Sequence, residues 1–325
     1  MNLHENPDLF KQAVRFTSQK MKISDIYIEK DYWVTLALHT IFHHEVGKET
    51  VFKGGTALSK CFGIIERFSE DIDLVVLRKE GESGNQLKNK LKKITKVVAT
   101  KIEEVDVDNI THKMGMIRKI AYNYDKLFKG AFGQVRDVII VETTWLGRYE
   151  PYHTQNISSY IYEMLEESNQ LETAKDYNLL PFEVQVLDVT RTICEKIMSL
   201  VRFSYGENAE EDLKNKVRHT YDIHQLLKEN SIKKAFNSTD FDAMLLKVAQ
   251  DDVESFKTDN SWLAHHPSES LMFNDVESTW AILKDSYNGS FKNLVFGKLP
   301  KDSDVLNSLQ FVANRLKDIK WEVKL

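Results

Sequence analysis

The sequence predicts an α/β (α+β) fold: a small mixed β-sheet flanked by helices, followed by a mostly helical C-terminal region. Short runs rich in Val, Ile and Tyr alternate with amphipathic segments in the first half of the chain, whereas helical spacing dominates the second half. A chain of 325 residues can form two domains of ordinary size. We therefore expect a first domain at residues 1–180, which holds the sheet, and a helical domain at residues 181–325.

The individual elements follow from periodicity and from helix boundary signals. Two helices are predicted near the N-terminus, at about residues 8–20 and 24–44, and Ser24 is a plausible N-cap for the second. Runs of β-branched and aromatic residues then predict the strands VFK, IDLVVL, MIRKIAYNY, VRDVIIVETTW and, after Pro181, FEVQVL. The C-terminal helices are expected at about residues 188–204, 208–229, 240–257, 275–287 and 303–320.

Composition excludes several classes of protein. The net charge is -5 and the pI is about 6.1, so the chain as a whole does not resemble a protein that coats nucleic acid. The most apolar window, residues 33–42, is shorter than the roughly 20 residues that a membrane-spanning helix needs. The opening MNLHENPDLF lacks the pattern of a signal peptide, and Cys61 and Cys194 have no motif spacing. We expect a cytoplasmic protein without a membrane partner.

Residues 85–136 are basic, in contrast to the rest of the chain. They contain 12 Lys or Arg and 5 Asp or Glu, a local charge of +7 that leaves -12 for the remainder. One face of this segment could attract phosphate groups. Alternatively, LKNKLKKITKVVATK is an amphipathic helix that only exposes its lysines to water. The sequence leaves both interpretations open.

Two aspartates interrupt an apolar strand. In DIDLVVL, Asp71 and Asp73 lie two residues apart, so a strand directs both carboxylates to one face. Two like charges this close beside a buried strand are costly unless a cation neutralises them. Mg²⁺ prefers oxygen ligands and is typically held by one or two carboxylates together with substrate phosphates. The pair therefore predicts a Mg²⁺ (or Mn²⁺) site that acts on a nucleotide.

A Gly-Gly-Thr turn precedes this strand. It follows VFK and begins a helical run, so backbone amides can approach a polyphosphate without a Cβ in the way. Such a turn alone is weak evidence, but the order strand, glycine turn, helix and acidic strand is far more specific. We expect the NTP to be bound by seven residues in this region: Lys53, Gly54, Gly55, Thr56, Ser59, Arg67 and Ser69.

Glu142 is the candidate for a third metal ligand, because two-metal catalysis needs about three carboxylates. In VIIVETTW it shares one strand face with Val138 and Ile140, and an ionised glutamate on an apolar face is costly unless it meets a cation. The alternative is an edge strand whose end is solvated.

Lys196 is the candidate cation. In DVTRTICEKIMSLVRF it follows the apolar stripe of Ile193 and Leu200, which places its ammonium on the buried side of a helix. A cation aimed at a triphosphate would stabilise the charge that builds on the leaving pyrophosphate. The alternative is snorkelling, in which the long stem covers apolar surface and the charge reaches water.

Asp222 lies off the apolar face formed by Leu213, Val217 and Tyr221, so periodicity alone gives it no special role.

The motifs of several other classes of enzyme and binding protein are missing from the sequence. There is no Walker loop, no G-x-G-x-x-G after a strand and no serine nucleophile elbow, and the histidines and cysteines have no zinc spacing.

The run KGGTALSKCFGIIERFSEDIDL resembles the first motif of the AbiEii/AbiGii toxin family of nucleotidyltransferases, which belongs to the DNA polymerase β-like superfamily and is similar to MenT-type toxins. Residues 67–73 match the family pattern Arg-x-Ser-x-Asp-hydrophobic-Asp at each position. The resemblance covers roughly residues 25–230. Weaker matches are the leading helix IEKDYWVTLALHTIF, Glu142 at a strand end, the Glu195-Lys196 step, and Arg218 with Asp222 in Arg-x-x-x-Asp.

The resemblance implies metal-dependent transfer of a nucleoside monophosphate from an NTP in a cleft closed by the helical region. It implies metal binding by Asp71, Asp73 and Glu142, and catalytic roles for both aspartates, Lys196 and Asp222. Members act as toxins of toxin–antitoxin or abortive-infection systems, and some modify tRNA acceptor ends. The expected partners are therefore an NTP, tRNA and a separately encoded antitoxin.

Two alternatives remain from the sequence. The same chemistry could use a small molecule or a protein hydroxyl as its acceptor. Alternatively, the chain could be a catalytically silent nucleotide-binding module, although a silent site has no need to keep a repulsive acidic pair.

Overall fold

The computed structural model of the chain describes residues 1–69, 71–130, 136–257 and 259–325. Glu70 of the matched motif and Val135, the first residue of one predicted strand, lie outside the described residues. The part of the chain that is described has the predicted mixed α/β architecture, with helices packed on one mixed sheet and a helical C-terminal region. The predicted fold class is confirmed.

The first half of the chain alternates helices and strands. Its elements in chain order are α1 (Pro7–Met21), α2 (Asp25–Phe42), β1 (Thr50–Lys53), α3 (Gly54–Lys60), β2 (Asp71–Val76), α4 (Gly84–Val98), β3 (Glu103–Val105), β4 (Ile117–Asn123), β5 (Ile139–Thr144), β6 (Tyr152–Ile157), α5 (Tyr160–Glu167), α6 (Leu171–Asp176) and β7 (Phe182–Leu187). Strands β3 and β6 were not predicted, because EEV and YHTQNI lack apolar alternation.

The second half is helical. Its elements are α7 (Val189–Phe203), α8 (Ala209–Asn215), α9 (Val217–Lys228), α10 (Asn230–Phe236), α11 (Thr239–Ser255), α12 (Leu271–Asn274), α13 (Val276–Asn288) and α14 (Asp302–Lys317). The single helix predicted at residues 208–229 is wrong, because the chain breaks at Lys216 between α8 and α9. None of the helices in the described residues has both the length and the apolar character needed to cross a membrane.

The chain divides into two compact units. Unit 1 comprises Met1–Gly63, Arg67–Trp145 and Tyr152–Val186, and unit 2 comprises Ile64–Glu66, Leu146–Pro151 and Leu187–Leu325. Unit 1 therefore contains α1 to α6 and the sheet, except for Leu187 at the end of β7, and unit 2 contains α7 to α14. The domain boundary at residues 180/181 stays a prediction.

The sheet has the strand order β3-β4-β5-β2-β1-β7-β6. Strand β2 runs antiparallel to β1 and parallel to β5, and β5 runs antiparallel to β4. The acidic strand β2 and the later strand β5 are thus neighbours in the middle of the sheet. The alternative interpretation of Glu142 as an edge-strand residue is wrong for that reason.

The basic helix α4 is built as its periodicity predicts. Ser83 caps its N-terminus by accepting from the backbone N–H of Gln86, and the Gln86 side chain accepts from the N–H of Ser83. Its buried residues include Leu87, Leu91, Ile94 and Val98. The remaining face of α4 presents lysines.

Candidate active site

The predicted acidic pair lies at the start of the central strand β2. Asp71 pairs in register with Ile140 of β5, and Asp73 pairs with Glu142. Partners in register point to the same face of a sheet, so Asp73 and Glu142 are lateral neighbours, and Asp71 lies on that face as well. The structure therefore brings together the three carboxylates that the sequence selected from segments about 70 residues apart in the chain.

Two lysines flank these carboxylates in one row across the sheet. Lys53 of β1 pairs with Asp73, and Lys119 of β4 pairs with Glu142. The row across four neighbouring strands is therefore Lys53, Asp73, Glu142 and Lys119, with two negative charges between two positive ones. Lys119 could not be assigned a role from the sequence, because its position depends on the register of β4 with β5.

The titration of Asp73 is perturbed by its position in this row. Burial, with the nearby carboxylates of Glu142 and Asp71, raises the pKa of Asp73 to about 7, although Lys53 and Lys119 act in the opposite direction. The carboxylate at this position is therefore destabilised in the protein without a bound cation. A divalent cation would stabilise the charged form of Asp73.

The two side-chain oxygens of Asp71 have different surroundings: one is in an ion pair and the other is buried without a hydrogen-bond partner among the described residues. Its Oδ2 lies 3.7 Å from Nη1 of Arg136. Its Oδ1 is buried and has no hydrogen-bond partner among the described residues. A buried carboxylate oxygen without a donor is costly, and the hard oxygen donors of Asp71 and Asp73 suit Mg²⁺. The two aspartates fit the predicted metal.

Glu142 has a different partner in this structure. Its Oε2 forms an ion pair with Nζ of Lys119 at 3.0 Å. Across the described residues, no group of three or more His, Cys, Asp or Glu side chains is placed to hold a metal ion. The position of Glu142 beside Asp73 agrees with the sequence analysis, and its role as a third metal ligand stays a prediction.

The glycine turn allows the acidic pair to approach the backbone. Gly54 has φ +83°, a conformation that L-residues with a Cβ rarely adopt. A Cβ on Gly54 would overlap Oδ2 of Asp73, and a Cβ on Gly55 would lie 2.7 Å from Nη2 of Arg67. Both glycines are thus required by close contact with residues of the predicted site.

We expect Gly54→Ala to reduce catalytic activity by at least about 100-fold, because the added methyl group displaces the Asp73 carboxylate; a misplacement near 1 Å has effects of this size. Gly81→Ala is the matched control. Gly81 has φ +80°, but no atom lies within 4 Å of the point that a Cβ on Gly81 would occupy, so the control has the backbone strain without the overlap. Equal activity losses in the two variants would contradict this role of Gly54.

The hydroxyl groups predicted to bind the NTP have partners within the protein. Thr56 donates to the carbonyl of Asp71 at 2.6 Å and lies 3.1 Å from Oγ of Ser69. Ser59 is hydrogen-bonded to Tyr160. The contact of Thr56 fastens α3 to the start of β2, so this residue positions the acidic strand. Direct contacts of Thr56, Ser59 and Ser69 with an NTP stay predictions.

Arg67 is buried, and its Nη1 donates to the carbonyl of Phe68 at 3.2 Å. Its guanidinium lies next to Gly55, because a Cβ added to Gly55 would lie only 2.7 Å from Nη2 of Arg67. This places a fixed positive charge directly beneath the glycine turn. Lys53, at the end of β1, adds a second cation next to Asp73.

Three consecutive charged residues in α2 were not predicted to have a role. Glu29, Lys30 and Asp31 are all buried in an otherwise apolar stretch. Lys30 donates to the carbonyl of Arg136, the residue whose side chain faces Asp71. The signal was present as IEKDYW, where charges interrupt a helix that is apolar on every side.

The other two members of this set hold other segments of unit 1. Glu29 accepts from the backbone N–H groups of Leu127 and Phe128, at 2.7 and 3.3 Å. Asp31 forms an ion pair with Lys60 at 2.6 Å, in which both side chains are at most 5% exposed. Since Lys60 is the last residue of α3, the contact of Asp31 fixes the helix that follows the glycine turn.

Lys196 and Asp222, the predicted catalytic residues of the helical region, meet within unit 2. Nζ of Lys196 lies 2.6 Å from Oδ2 of Asp222, with side-chain exposures of 7% and 0%. The snorkelling interpretation of Lys196 is therefore wrong. The expectation that Asp222 lies off the apolar face is also wrong in its consequence, because residues 220–227 of α9 are all buried and the helix therefore has no solvent-exposed face at this position.

A second buried ion pair lies near the beginning of α7, the helix that contains Lys196. Arg191 of α7 donates to Oδ2 of Asp251 at 2.6 Å and to Oε1 of Glu195 at 3.1 Å.

Burial lowers the pKa of His219 well below its ordinary value, and nearby Lys196 acts in the same direction. His219 is therefore neutral at physiological pH.

The family model described as "Nucleotidyl transferase AbiEii toxin, Type IV TA system" matches residues 36–310. Among solved structures, the chain is similar to MenT4, a nucleotidyltransferase toxin from Mycobacterium tuberculosis H37Rv, with 14% identity, a TM-score of 0.44, and coverage of 92% of this chain and 98% of that chain. No curated protein has a matching sequence. The family match includes the glycine turn, both aspartates, Glu142, Lys196 and Asp222.

Proposed function

Since the chain belongs to the AbiEii family of nucleotidyltransferase toxins from type IV toxin–antitoxin systems, we propose that it transfers a nucleoside monophosphate from an NTP to tRNA. The acceptor hydroxyl releases its proton to solvent, its oxygen forms a bond to the α-phosphorus, the bond from that phosphorus to the bridging oxygen breaks, and pyrophosphate leaves. The family also implies a cognate antitoxin as partner, and we propose that it is a separately encoded protein.

One observation supports this proposal most strongly. Asp71 and Asp73 lie on one strand face, and Oδ1 of Asp71 is buried without a hydrogen-bond partner among the described residues. The glycine turn contacts Asp73 on one side and the buried guanidinium of Arg67 on the other. Carboxylates provide ligands for a hard cation, and the turn lets phosphate approach the backbone. Nucleotidyl transfer needs both features at one place.

We assign Asp71 and Asp73 as the residues that hold Mg²⁺. When bound, this ion neutralises charge on the substrate phosphates and polarises the phosphoryl oxygens. Gly54 and Gly55 leave room for the phosphates, and Lys53 and Arg136 add positive charge on the two sides of the aspartates. The buried Arg67 and the hydrogen bond from Thr56 hold this arrangement in place before the substrate arrives.

Lys196 and Asp222 are assigned to the stabilisation of pyrophosphate as it leaves. A preorganised ammonium stabilises developing negative charge, and a buried carboxylate partner fixes its position. The tRNA acceptor is supported by the basic segment at residues 85–136, in a chain that is otherwise acidic.

The decisive experiment is incorporation of each of four labelled NTPs into purified total tRNA in the presence of Mg²⁺. We expect label on tRNA with the native chain from at least one NTP, and no label with Asp71→Asn or Asp73→Asn. Label on added protein or on a small molecule instead of tRNA would contradict the RNA acceptor. Label from both aspartate variants at the native rate would contradict the assignment of the acidic pair.

A further inference from the structure

The exposed face of helix α4 concentrates unpaired positive charge. Lys88, Lys92, Lys93 and Lys96 are all exposed, and within the described ranges no ion pair involves any of them. In contrast, Lys90 on the same helix is paired with Glu82 at 2.6 Å and with Glu49 at 3.4 Å. Lys90 is therefore neutralised by two glutamates, whereas Lys88, Lys92, Lys93 and Lys96 have no acidic partner among the described residues.

Two open cavities lie along this face and share Asn89 and Lys92. The larger has a volume of about 710 Å³ and is lined by Lys92, Lys93 and Lys96 of α4 and by His43 and His44 after α2. It forms a groove whose charged side chains come from α4.

The smaller cavity, of about 390 Å³, is lined by Lys88 and Lys92 together with Lys113 and Arg118 from the segment that leads into β4. The described residues that line either cavity include no Asp or Glu. We call this surface, formed by Lys88, Lys92, Lys93 and Lys96 with the two cavities, the α4 basic groove.

A solvated helix face leaves the repulsion among these lysines unrelieved. Lys88, Lys92 and Lys96 are spaced i, i+4, i+8, so neighbouring side chains repel, and like charges at this spacing cost about 0.2–0.5 kcal/mol for each pair. Residues 84–98 contain no Asp or Glu that could offset the repulsion. A partner that supplies negative charge along the helix would relieve it.

Steps of four residues along a helix rise about 6 Å, and the 15 residues of α4 extend over about 22 Å. We propose that the α4 basic groove binds the sugar-phosphate backbone of an RNA, the acceptor under the proposed function, on which this inference rests. Lysines bind phosphates as point charges and need no particular base. The groove contributes affinity that is independent of sequence. At its side, Nδ1 of His44 accepts from the backbone N–H of Val46, so a neutral His44 has its proton on Nε2 and can donate a hydrogen bond from there.

The test is direct binding of a fluorescein-labelled tRNA transcript without NTP, followed by fluorescence anisotropy over a series of KCl concentrations. The groove variant is Lys88→Gln, Lys92→Gln, Lys93→Gln and Lys96→Gln together. The control variant removes the same number of charges from exposed helical lysines of unit 2: Lys234→Gln, Lys247→Gln, Lys284→Gln and Lys317→Gln.

Each lost phosphate contact lowers the slope of log K against log [KCl] by about 0.7–0.9. We expect the groove variant to lose about 3 in this slope and at least about 10-fold in affinity near 0.1 M KCl, while the control stays within about 2-fold of the native chain. Both variants are expected to keep the native circular dichroism spectrum, because the replaced side chains are exposed.

Three results would overturn the inference: equal loss in the two variants, no binding by the native chain, or equal competition by poly-L-glutamate, which would indicate an acidic protein as the partner. Failure of the proposed function would appear differently. Since binding is measured without NTP, a chain that binds tRNA through the groove but incorporates no label would refute nucleotidyl transfer to tRNA and leave the groove assignment standing.

Discussion

Replacing Asp73 with asparagine is expected to abolish nucleotidyl transfer and, at the same time, to raise the free energy of unfolding of the metal-free protein at pH 8. The carboxylate that we assign to the metal is held beside Glu142 and Asp71, and burial and these neighbours raise its pKa to about 7. A group that is costly to ionise in the folded state stabilises the unfolded state at high pH. The asparagine removes that cost together with the ligand.

The sign follows from proton linkage. Asp73 binds its proton more tightly in the folded protein than in the unfolded chain, where its pKa is about 3.9. Its protonation therefore stabilises the folded state fully below about pH 4, and this contribution is lost as the pH rises through about 7. At about 1.4 kcal/mol per pH unit, Asp73→Asn should gain on the order of 2–4 kcal/mol over the native protein at pH 8 and almost nothing at pH 4.

Urea unfolding of the native chain and of the variant between pH 4 and pH 8 measures this difference. Mg²⁺ should raise the native unfolding midpoint increasingly as the pH rises above 7 and should have less effect on Asp73→Asn. Asp108→Asn, at an exposed position in unit 1, is the control and should show no pH-dependent gain. A variant that is less stable than the native protein at pH 8 without metal would contradict the repulsive role of Asp73.

Local sequence patterns were sufficient to locate the acidic pair and the glycine turn. Strand periodicity puts Asp71 and Asp73 on one face whatever the strand pairs with, and a glycine before a helix indicates a backbone that a side chain would obstruct. Glu142 was found in the same way, since a charge on an apolar strand face is unusual. These inferences depend only on neighbours in the chain.

Partners set by strand register could not be predicted from the same patterns. Lys119 pairs with Glu142 because β4 runs antiparallel to β5, and a shift of one residue would turn its side chain to the other face. The contact between Lys30 and the carbonyl of Arg136 likewise joins residues that are 106 positions apart. Asp222 was misjudged because residues 220–227 are buried on every side of α9, which the spacing of apolar residues within one helix does not reveal.

Lys196→Met is expected to lower the free energy of unfolding by about 3–5 kcal/mol, because it leaves the fully buried Asp222 carboxylate without its ammonium. The variant Asp222→Leu should cost a similar amount for the reverse reason. The double variant, Lys196→Met with Asp222→Leu, removes both charges and should recover most of this loss, since buried ion pairs are often replaceable by apolar residues of similar volume. Thermal and urea unfolding of the three variants measure the cycle.

Activity of the double variant then separates catalysis from folding. If Lys196 stabilises the leaving pyrophosphate, the double variant should be folded and yet at least about 100-fold less active, because removal of one preorganised electrostatic group costs that much. Arg191→Met with Asp251→Leu is the matched control, since this pair is also buried in unit 2 and has no assigned catalytic role. The control should keep its activity and regain part of its stability, because Glu195 and Arg148 each also lose an ion-pair partner in it. Full activity in a folded Lys196 and Asp222 double variant would make that pair a structural one, because a catalytic ammonium cannot be replaced by a thioether.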